Sequence, residues 1–321
     1  MKKYLVTGAA GFIGSSIADR LLRDGHEVWT IDNLSTGCKE NLPEGIHFIH
    51  GACQDSDSIA SLQGTVFDAI LHFAGQSSGE VSFDDPVYDL RTNTESTLRL
   101  IEFGLANRCH RFVYASSMSV YGIVEEKPIS ERHAATPLSF YGVGKLASEH
   151  YLRIYMSKGL NPTILRLFNV YGPHQNLSNL RQGMVSIYLA QMIFGDRVIV
   201  KGALDRFRDF IYIDDVVDAT CRLIDDSRSY GRIFNIGTGI KTTVETLLNK
   251  IQKYAALQKS IVLAEGTPGD QKGIFADVAF AHETLGFQAK IMLDEGLPSM
   301  IEWARQTQAV FNRNDKSPDN A

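Results

Sequence analysis

Two stretches of the chain carry side chains able to move a proton. In Ser139-Phe140-Tyr141-Gly142-Val143-Gly144-Lys145 a tyrosine and a lysine stand four residues apart, and the pattern from Leu146 to Ser157 continues as helix. That spacing puts phenol and ammonium on one helical face, a turn from each other. A cation beside a phenol favours the phenolate, which makes tyrosine usable as acid or base near neutral pH. The second stretch is Ser116-Ser117-Met118-Ser119-Val120-Tyr121-Gly122, a polar cluster behind the apolar run Arg111 to Ala115. Alone, the Tyr141–Lys145 pair is also what a ring packed on a lysine stem gives. Its weight comes from what precedes it.

At the N-terminus, Thr7-Gly8-Ala9-Ala10-Gly11-Phe12-Ile13-Gly14 follows the apolar run Tyr4-Leu5-Val6 and opens a helical stretch from Ile17 to Leu22. Strand, glycine turn and helix is the context in which such a loop holds a dinucleotide. Gly8 turns the chain off the strand, Gly11 admits a pyrophosphate to the backbone, and Gly14 permits close helix packing. The helix start presents free N–H groups and a positive dipole end to phosphates. A second apolar run, Glu27 to Ile31, ends in Asp32, eighteen residues beyond Gly14. An acid there bonds the adenosine ribose hydroxyls and repels a 2′-phosphate, which favours NAD over NADP.

These groups need a frame, and the first half of the chain supplies it. Apolar runs at Ile46 to His50, Asp68 to Phe73, Arg111 to Ala115 and Thr163 to Leu167 alternate with helical stretches, the longest from about Val87 to Asn107. Such alternation predicts an α/β fold, a doubly wound parallel sheet of Rossmann type covered by helices. Gly11, Asp32, Gly75 and Ser117 then all fall beyond the strand C-termini, where these sheets bind ligands. The small residues Ala74-Gly75 let a flat cofactor lie close to the chain. Residues 1–175 are expected to form the dinucleotide-binding domain, with 209–237 returning to it. Residues 176–208 and 238–311 form a smaller substrate domain, and 312–321 a polar, disordered tail. In the returning segment Asp214-Asp215 is expected to cap a helix, and in the smaller domain Arg206 and Arg208 suit a diphosphate.

Composition closes off other classes. A net charge of −5 over 321 residues gives no reason to expect nucleic acid. No run reaches the ~18 apolar residues of a membrane span, and the N-terminus does not read as a signal peptide. Cys38, Cys53, Cys109 and Cys221 are scattered, and the nine histidines form no ligand cluster, so no metal is expected. The cysteines read as reduced thiols of a cytoplasmic protein.

With these residues in place, the chain resembles the extended short-chain dehydrogenase/reductases, and within them the nucleotide-sugar 4-epimerases of UDP-glucose 4-epimerase type, from about Lys2 to Trp303. The resemblance rests on the glycine loop and on Asp32-Asn33-Leu34-Ser35-Thr36-Gly37, His72-Phe73-Ala74-Gly75, Ser116-Ser117, Val120-Tyr121-Gly122 and Tyr141 to Lys145. Arg208-Asp209-Phe210-Ile211-Tyr212-Ile213-Asp214-Asp215-Val216 and Pro268-Gly269-Asp270 complete it. It implies Tyr141 as acid/base, Lys145 on the nicotinamide ribose and Ser117 on the sugar oxygen. It implies an NAD site from Gly8, Gly11, Phe12, Ile13, Gly14, Asp32, Asn33, Ser35, Thr36, Gly37, Phe73, Ala74, Gly75, Asn93, Tyr141 and Lys145. The nucleotide-sugar site would take Ser117, Ser119, Tyr141, Asn169, Arg208 and Asp270, and a homodimer would form through the helices near Val87–Asn107 and Ser139–Ser157.

The chain departs from that family's pattern at identifiable places. Ser119 and Val120 stand where the family's 4,6-dehydratases carry an Asp-Glu pair, which disfavours elimination of water; the decarboxylases commonly have an acid nearby too. Ala52 replaces an adenine-contacting aspartate, Lys201-Gly202-Ala203-Leu204 an aromatic-Gly-Asp-Gly segment, and Thr267 an arginine. Ile274 falls at the position associated with the size of the sugar's 2-substituent. The expected activity is C4 epimerisation through a 4-keto sugar, with a UDP-glucose/galactose-like substrate. The rivals are an NAD(P)-dependent 4-keto-sugar reductase or sugar dehydrogenase, and a non-catalytic NAD-binding protein of the same fold.

Overall fold

The computed structural model describes residues 1–267, 269 and 271–314. Its strands are β1 (Lys3–Thr7), β2 (Glu27–Asp32), β3 (His47–His50), β4 (Ala69–His72), β5 (Arg111–Ser117), β6 (Asn161–Leu167) and β7 (Asn169–Tyr171). Then follow β8 (Val198–Lys201), β9 (Phe207–Arg208), β10 (Phe210–Tyr212), β11 (Arg232–Ile236), β12 (Thr242–Thr243) and β13 (Ile261–Ala264). Among the described residues seven of them form one parallel sheet, in the order β11-β6-β5-β4-β1-β2-β3. Strands buried on both faces read as near-continuous apolar runs, and β1, β4 and β5 do.

The order reverses direction between β1 and β4, where Thr7 lies beside His72. Helices leaving the two strands diverge there and open a crevice at the C-terminal edge. On one face α1 (Phe12–Arg23) packs against α7 (Ile213–Ile224) through Ile17, Leu21, Val217 and Leu223. On the other, α4 (Ser96–Ala106) and α5 (Phe140–Tyr155) bury Leu100, Ile101 and Leu152. The short α2 (Ser56–Ala60) lies between β3 and β4.

The long helix expected over Val87–Asn107 is continuous but not uniform. It comprises α3 (Pro86–Leu90), a π-helical segment Arg91–Glu95, and α4. A π turn accommodates one extra residue per turn and recurs at functional sites. Here it carries the fully buried Asn93 inward.

The chain from 172 onward builds a smaller layer, α6 (Met184–Phe194), α8 (Val244–Ala255), α9 (Ala279–Leu285) and α10 (Leu293–Asn314), and among the described residues two two-stranded pairs, β12–β9 and β13–β8, while β10 pairs back with β7. Both α7 and β11 lie with the main sheet, so the chain crosses from one part to the other and back. Val185, Tyr188 and Leu248 share one apolar cluster with Val6 and Leu165. Helix α10 takes in residues 312–314 of the expected tail, while 315–321 lie outside the described residues.

The aspartate pair expected as a cap does something else. Tyr212 occupies the N-cap of α7, and Asp214 and Asp215 sit in its first turn. The Asp215 carboxylate accepts from the backbone N–H groups of Lys290 and Ile291 at 3.0 and 2.9 Å. It pins the approach to α10 onto α7.

Candidate active site

Tyr141 and Lys145 lie in the first two turns of α5, where Ser139 caps the helix by accepting from the Gly142 N–H at 3.1 Å. The helix start is fixed by that cap, so the phenol and ammonium face the C-terminal edge of β5. Lys145 is 4% exposed, and its Nζ donates to the Ala115 carbonyl at 2.9 Å. The same Nζ is 5.7 Å from the Tyr141 ring centre and 5.0 Å from that of Tyr114.

Ser117, the last residue of β5, accepts from the Ser119 N–H and donates to the Ser119 hydroxyl, both at 3.1 Å. Ser116 turns the other way and donates to Glu149 at 2.5 Å, which is ion-paired with Arg166. The serine pair thus divides its work: Ser116 anchors the strand to α5, and Ser117 serves the site.

The electrostatics refine the simple expectation for the tyrosine. Burial pushes the Tyr141 phenol up to about 12, against a hydrogen bond from Ser117 that pulls it down. Burial pulls the Lys145 ammonium down to about 8. A phenol and an ammonium sharing a dry site each resist charge by desolvation, and burial is the largest influence on both. In the protein alone Tyr141 is a protonated phenol at neutral pH. A positive ring beside it would shift it towards the phenolate.

The glycine turn stands at the crevice mouth. Gly8 has φ +76°, and a Cβ there would meet the Ala74 backbone at 2.7 Å. A Cβ on Gly14 would stand 2.2 Å from the Gly8 carbonyl, so this glycine brings α1 against its own turn. No side chain caps the N-terminus of α1. Asp32 is held by the N–H groups of Ala10 and Leu34 at 3.0 and 2.8 Å.

A cavity of about 920 Å³ runs over this edge. It is lined by Gly8, Gly11, Phe12, Ile13, Gly14, Asp32, Asn33, Ser35, Thr36, Gly37, Phe73, Ala74 and Gly75. Ala52, Cys53 and Gln54 line it too, so the departure from the acid-bearing pattern noted in the sequence falls on this cavity. Asn93 is set deeper. Its Oδ1 is buried, lacks a hydrogen-bond partner among the described residues, and lies where a Cβ on Gly75 would be, at 2.6 Å. The uncapped helix start, the acid beyond β2 and this orphaned oxygen fit a dinucleotide whose pyrophosphate meets α1.

A second cavity, of about 550 Å³, opens beside Ser119 and Ser139 and reaches Asn169, Arg208, Lys201 and Thr267. The Asn169 Oδ1 is buried with no hydrogen-bond partner among the described residues. Burial and the neighbouring Arg206 pull the Arg208 guanidinium down to about 10, and it donates to the Phe207 and Gln271 carbonyls at 2.8 and 3.1 Å. Asp270 lies outside the described residues. Ile274 is 1% exposed, in a core cluster with Val120 and Phe168, and is absent from both linings.

Two features went unread in the sequence. The turn Gln76-Ser77-Ser78-Gly79-Glu80 lines both cavities, with Ser77 shared. The segment 172–183 roofs both, with Gln182 shared and bonded to Ser77. Ser78 donates to the Arg181 carbonyl at 2.8 Å, and Arg181 pairs with Glu80 and Asp84 at 3.2 and 2.6 Å. Lys201 pairs with Glu80 at 2.9 Å. The available signal was a long aperiodic polar stretch between Tyr171 and Met184, because loops of that length are commonly functional.

A sheet that switches direction over a glycine turn, with an acid–base pair beside the switch, defines a dinucleotide-dependent enzyme of the doubly wound α/β class. The chain belongs to the NAD dependent epimerase/dehydratase family, whose model matches residues 4–237. It is 35% identical over 310 residues to the UDP-glucose 4-epimerase of Mycolicibacterium smegmatis, covering 94% of this chain and 98% of that one. It is 32% identical over 303 residues to a putative UDP-glucose 4-epimerase of Methanocaldococcus jannaschii, with the same coverage of both chains. The crystal structure of UDP-glucose 4-epimerase with UDP-glucose from Thermotoga maritima superposes with a TM-score of 0.92 at 33% identity, covering 95% of this chain and 99% of that one.

Proposed function

We propose that this enzyme interconverts nucleotide-diphosphate sugars by NAD-dependent epimerisation at C4, with a UDP-hexose of the glucose/galactose kind as substrate. The observation that carries the reading is the cluster of Ser117, Tyr141 and Lys145 at the edge of β5, joined by the Ser117–Tyr141 hydrogen bond and the bond from Lys145 to Ala115; none of the three lines either cavity, while Ser119 and Ser139 beside them line the second. Bound NAD supplies a reversible hydride acceptor at the sugar carbon. Tyr141 takes the hydroxyl proton from that carbon and returns it after the keto sugar has turned in the pocket. Lys145, charged and held by Ala115, steadies the phenolate and the nicotinamide ribose. Ser117, set by Ser119, bonds the sugar oxygen.

Arg208 and Asn169 lie on the second cavity where the diphosphate is expected, with Ser119 at the sugar end. Among the described residues Glu80 is the one acid lining that cavity, and Lys201 and Arg181 occupy it. Dehydration needs an acid free to protonate a leaving hydroxyl, so this occupancy favours epimerisation. No described helix is long and apolar enough to cross a membrane. The four free thiols suit a reducing compartment, the cytoplasm.

The test has two parts. Denaturing the purified protein should release NAD in about equal amount to the chain. A panel of nucleotide sugars followed by proton NMR should show inversion at C4 with no net change in reduced cofactor. Net consumption of NADPH, with an empty protein as purified, would replace this reading with a reductase.

A further inference from the structure

Helix α3 places a carboxylate where the reaction just described does not use one. Asp89 is 1% exposed. Its Oδ1 accepts from the Gln76 and Asn93 side-chain amides at 2.8 and 3.2 Å. Its Oδ2 is buried with no hydrogen-bond partner among the described residues. That oxygen is turned towards α5, because a Cβ on Gly144 would stand 3.4 Å from it. Gly144 immediately precedes Lys145. A carboxylate held by two neutral amides, with one oxygen bare, is expensive to bury unless a cation answers it.

We propose that Asp89 is a positioning residue of the reaction, a buried negative charge behind α5 that keeps Lys145 charged while Tyr141 exchanges its proton. The proposal rests on the reading of Tyr141 and Lys145 given above. Burial works against the Lys145 charge, and Asp89 is the one opposing influence upon it among the described residues. In turn Lys145 favours the ionised form of Asp89, whose carboxyl burial otherwise raises. Without Asp89 the ammonium would lose its proton nearer to neutral pH, and a neutral amine steadies no phenolate.

Among the described residues no neighbouring group can replace it. On α5, Glu149 is taken by Arg166 at 2.7 Å. On β4, burial pulls His72 down to about 3, so it is neutral. On β5, burial raises the Tyr114 phenol, which stays protonated. In the π-helical segment, Arg91 and Glu95 pair with each other at the surface, at 3.2 Å. Asp89 acts also on Tyr141, in the direction that disfavours the phenolate. Its service is therefore through Lys145.

The experiment is the pH profile of kcat and KM for the NAD-loaded enzyme, with Asp89→Asn and Asp89→Glu beside the wild type. The amide keeps both acceptor bonds of Oδ1 and removes only the charge. The alkaline limb of kcat should then move down by about one pH unit, with about a tenfold loss on that limb and KM within about twofold. Asp89→Glu should restore the limb to its wild-type position even if the plateau falls. Asp89→Ser carries the same reading if the amide does not fold. A loss that is uniform across pH, or equal shifts in the Asn and Glu variants, would overturn the proposal. Tyr141→Phe separates the two readings: full turnover there sinks the assignment of the site, while a dead Tyr141→Phe beside an unshifted Asp89→Asn sinks this proposal alone.

Discussion

At the scale of single residues, the site holds groups that are each reluctant to be charged. Tyr141 is raised and Lys145 lowered by the same dry surroundings, so the acid–base chemistry is stored until a cationic ring arrives. Two outcomes follow from that placement. Tyr141→Phe should fold and retain NAD but lose about 10²–10⁴ in kcat, the usual worth of a positioned acid/base, as read by NMR turnover. Lys145→Met should lose activity and also lose the pH dependence of stability that the lysine carries. The ammonium is protonated in both folded and unfolded chains at neutral pH, and its folded value of about 8 lies below the ordinary lysine value. Below pH 8 its burial is therefore a constant penalty of up to about 3 kcal/mol. Between pH 8 and the unfolded value the unfolded chain binds more protons, so wild-type stability rises with pH relative to the methionine variant. Thermal melts of both ligand-free proteins at pH 7 and 9.5 should show the wild type gaining on the variant as pH rises.

At the scale of elements, what could be read in the sequence was what neighbours in the chain decide. The glycine turn after Val6, the acid closing β2, the small residues after His72 and the spacing from Tyr141 to Lys145 are local patterns, and each falls on the crevice edge. Places where distant segments meet were not legible. Nothing near Asp215 shows that its partners are Lys290 and Ile291, and helix-start chemistry made it look like a cap. Nothing near Asn93 announces a π turn. The surroundings of Asp89 are assembled from α3, α5 and the turn after β4. Asp215→Ala should remove an acceptor from two backbone N–H groups and lower stability by about 2–3 kcal/mol, measured by urea melts, with kcat unchanged in the folded fraction. The roof over both cavities is likewise tertiary. Since 172–183 is fastened to the 76–84 segment through Arg181, Gln182 and Ser78, loosening it should free the cofactor. Arg181→Ala is expected to exchange bound NAD for labelled NAD at least about fivefold faster in a filter-binding chase; exposed ion pairs are worth about 1 kcal/mol together.

At the scale of the whole molecule, one flank is unusually apolar for a surface. Val87 and Leu90 on α3 are 68% and 57% exposed, and Val143 and Ile154 on α5 are 52% and 60% exposed. Beside them Phe83, in the turn before α3, meets Phe140 of α5 edge to face at 5.3 Å. Single exposed apolar residues need no explanation, but a set gathered on two adjoining helices marks an interaction face. A second copy presenting the same pair of helices would cover it by two-fold symmetry, giving a four-helix packing in which each patch meets itself. This face lies directly behind the reaction centre, since α5 carries Val143 outward and Tyr141 and Lys145 inward. A homodimer through it would stiffen the helix that sets the phenol–ammonium geometry. Val143→Glu combined with Ile154→Glu should therefore give monomers in light scattering at micromolar concentration, lower the melting temperature, and reduce kcat more than NAD content. Wild-type protein that is already monomeric at that concentration would remove the dimer, and with it the link between oligomeric state and rate.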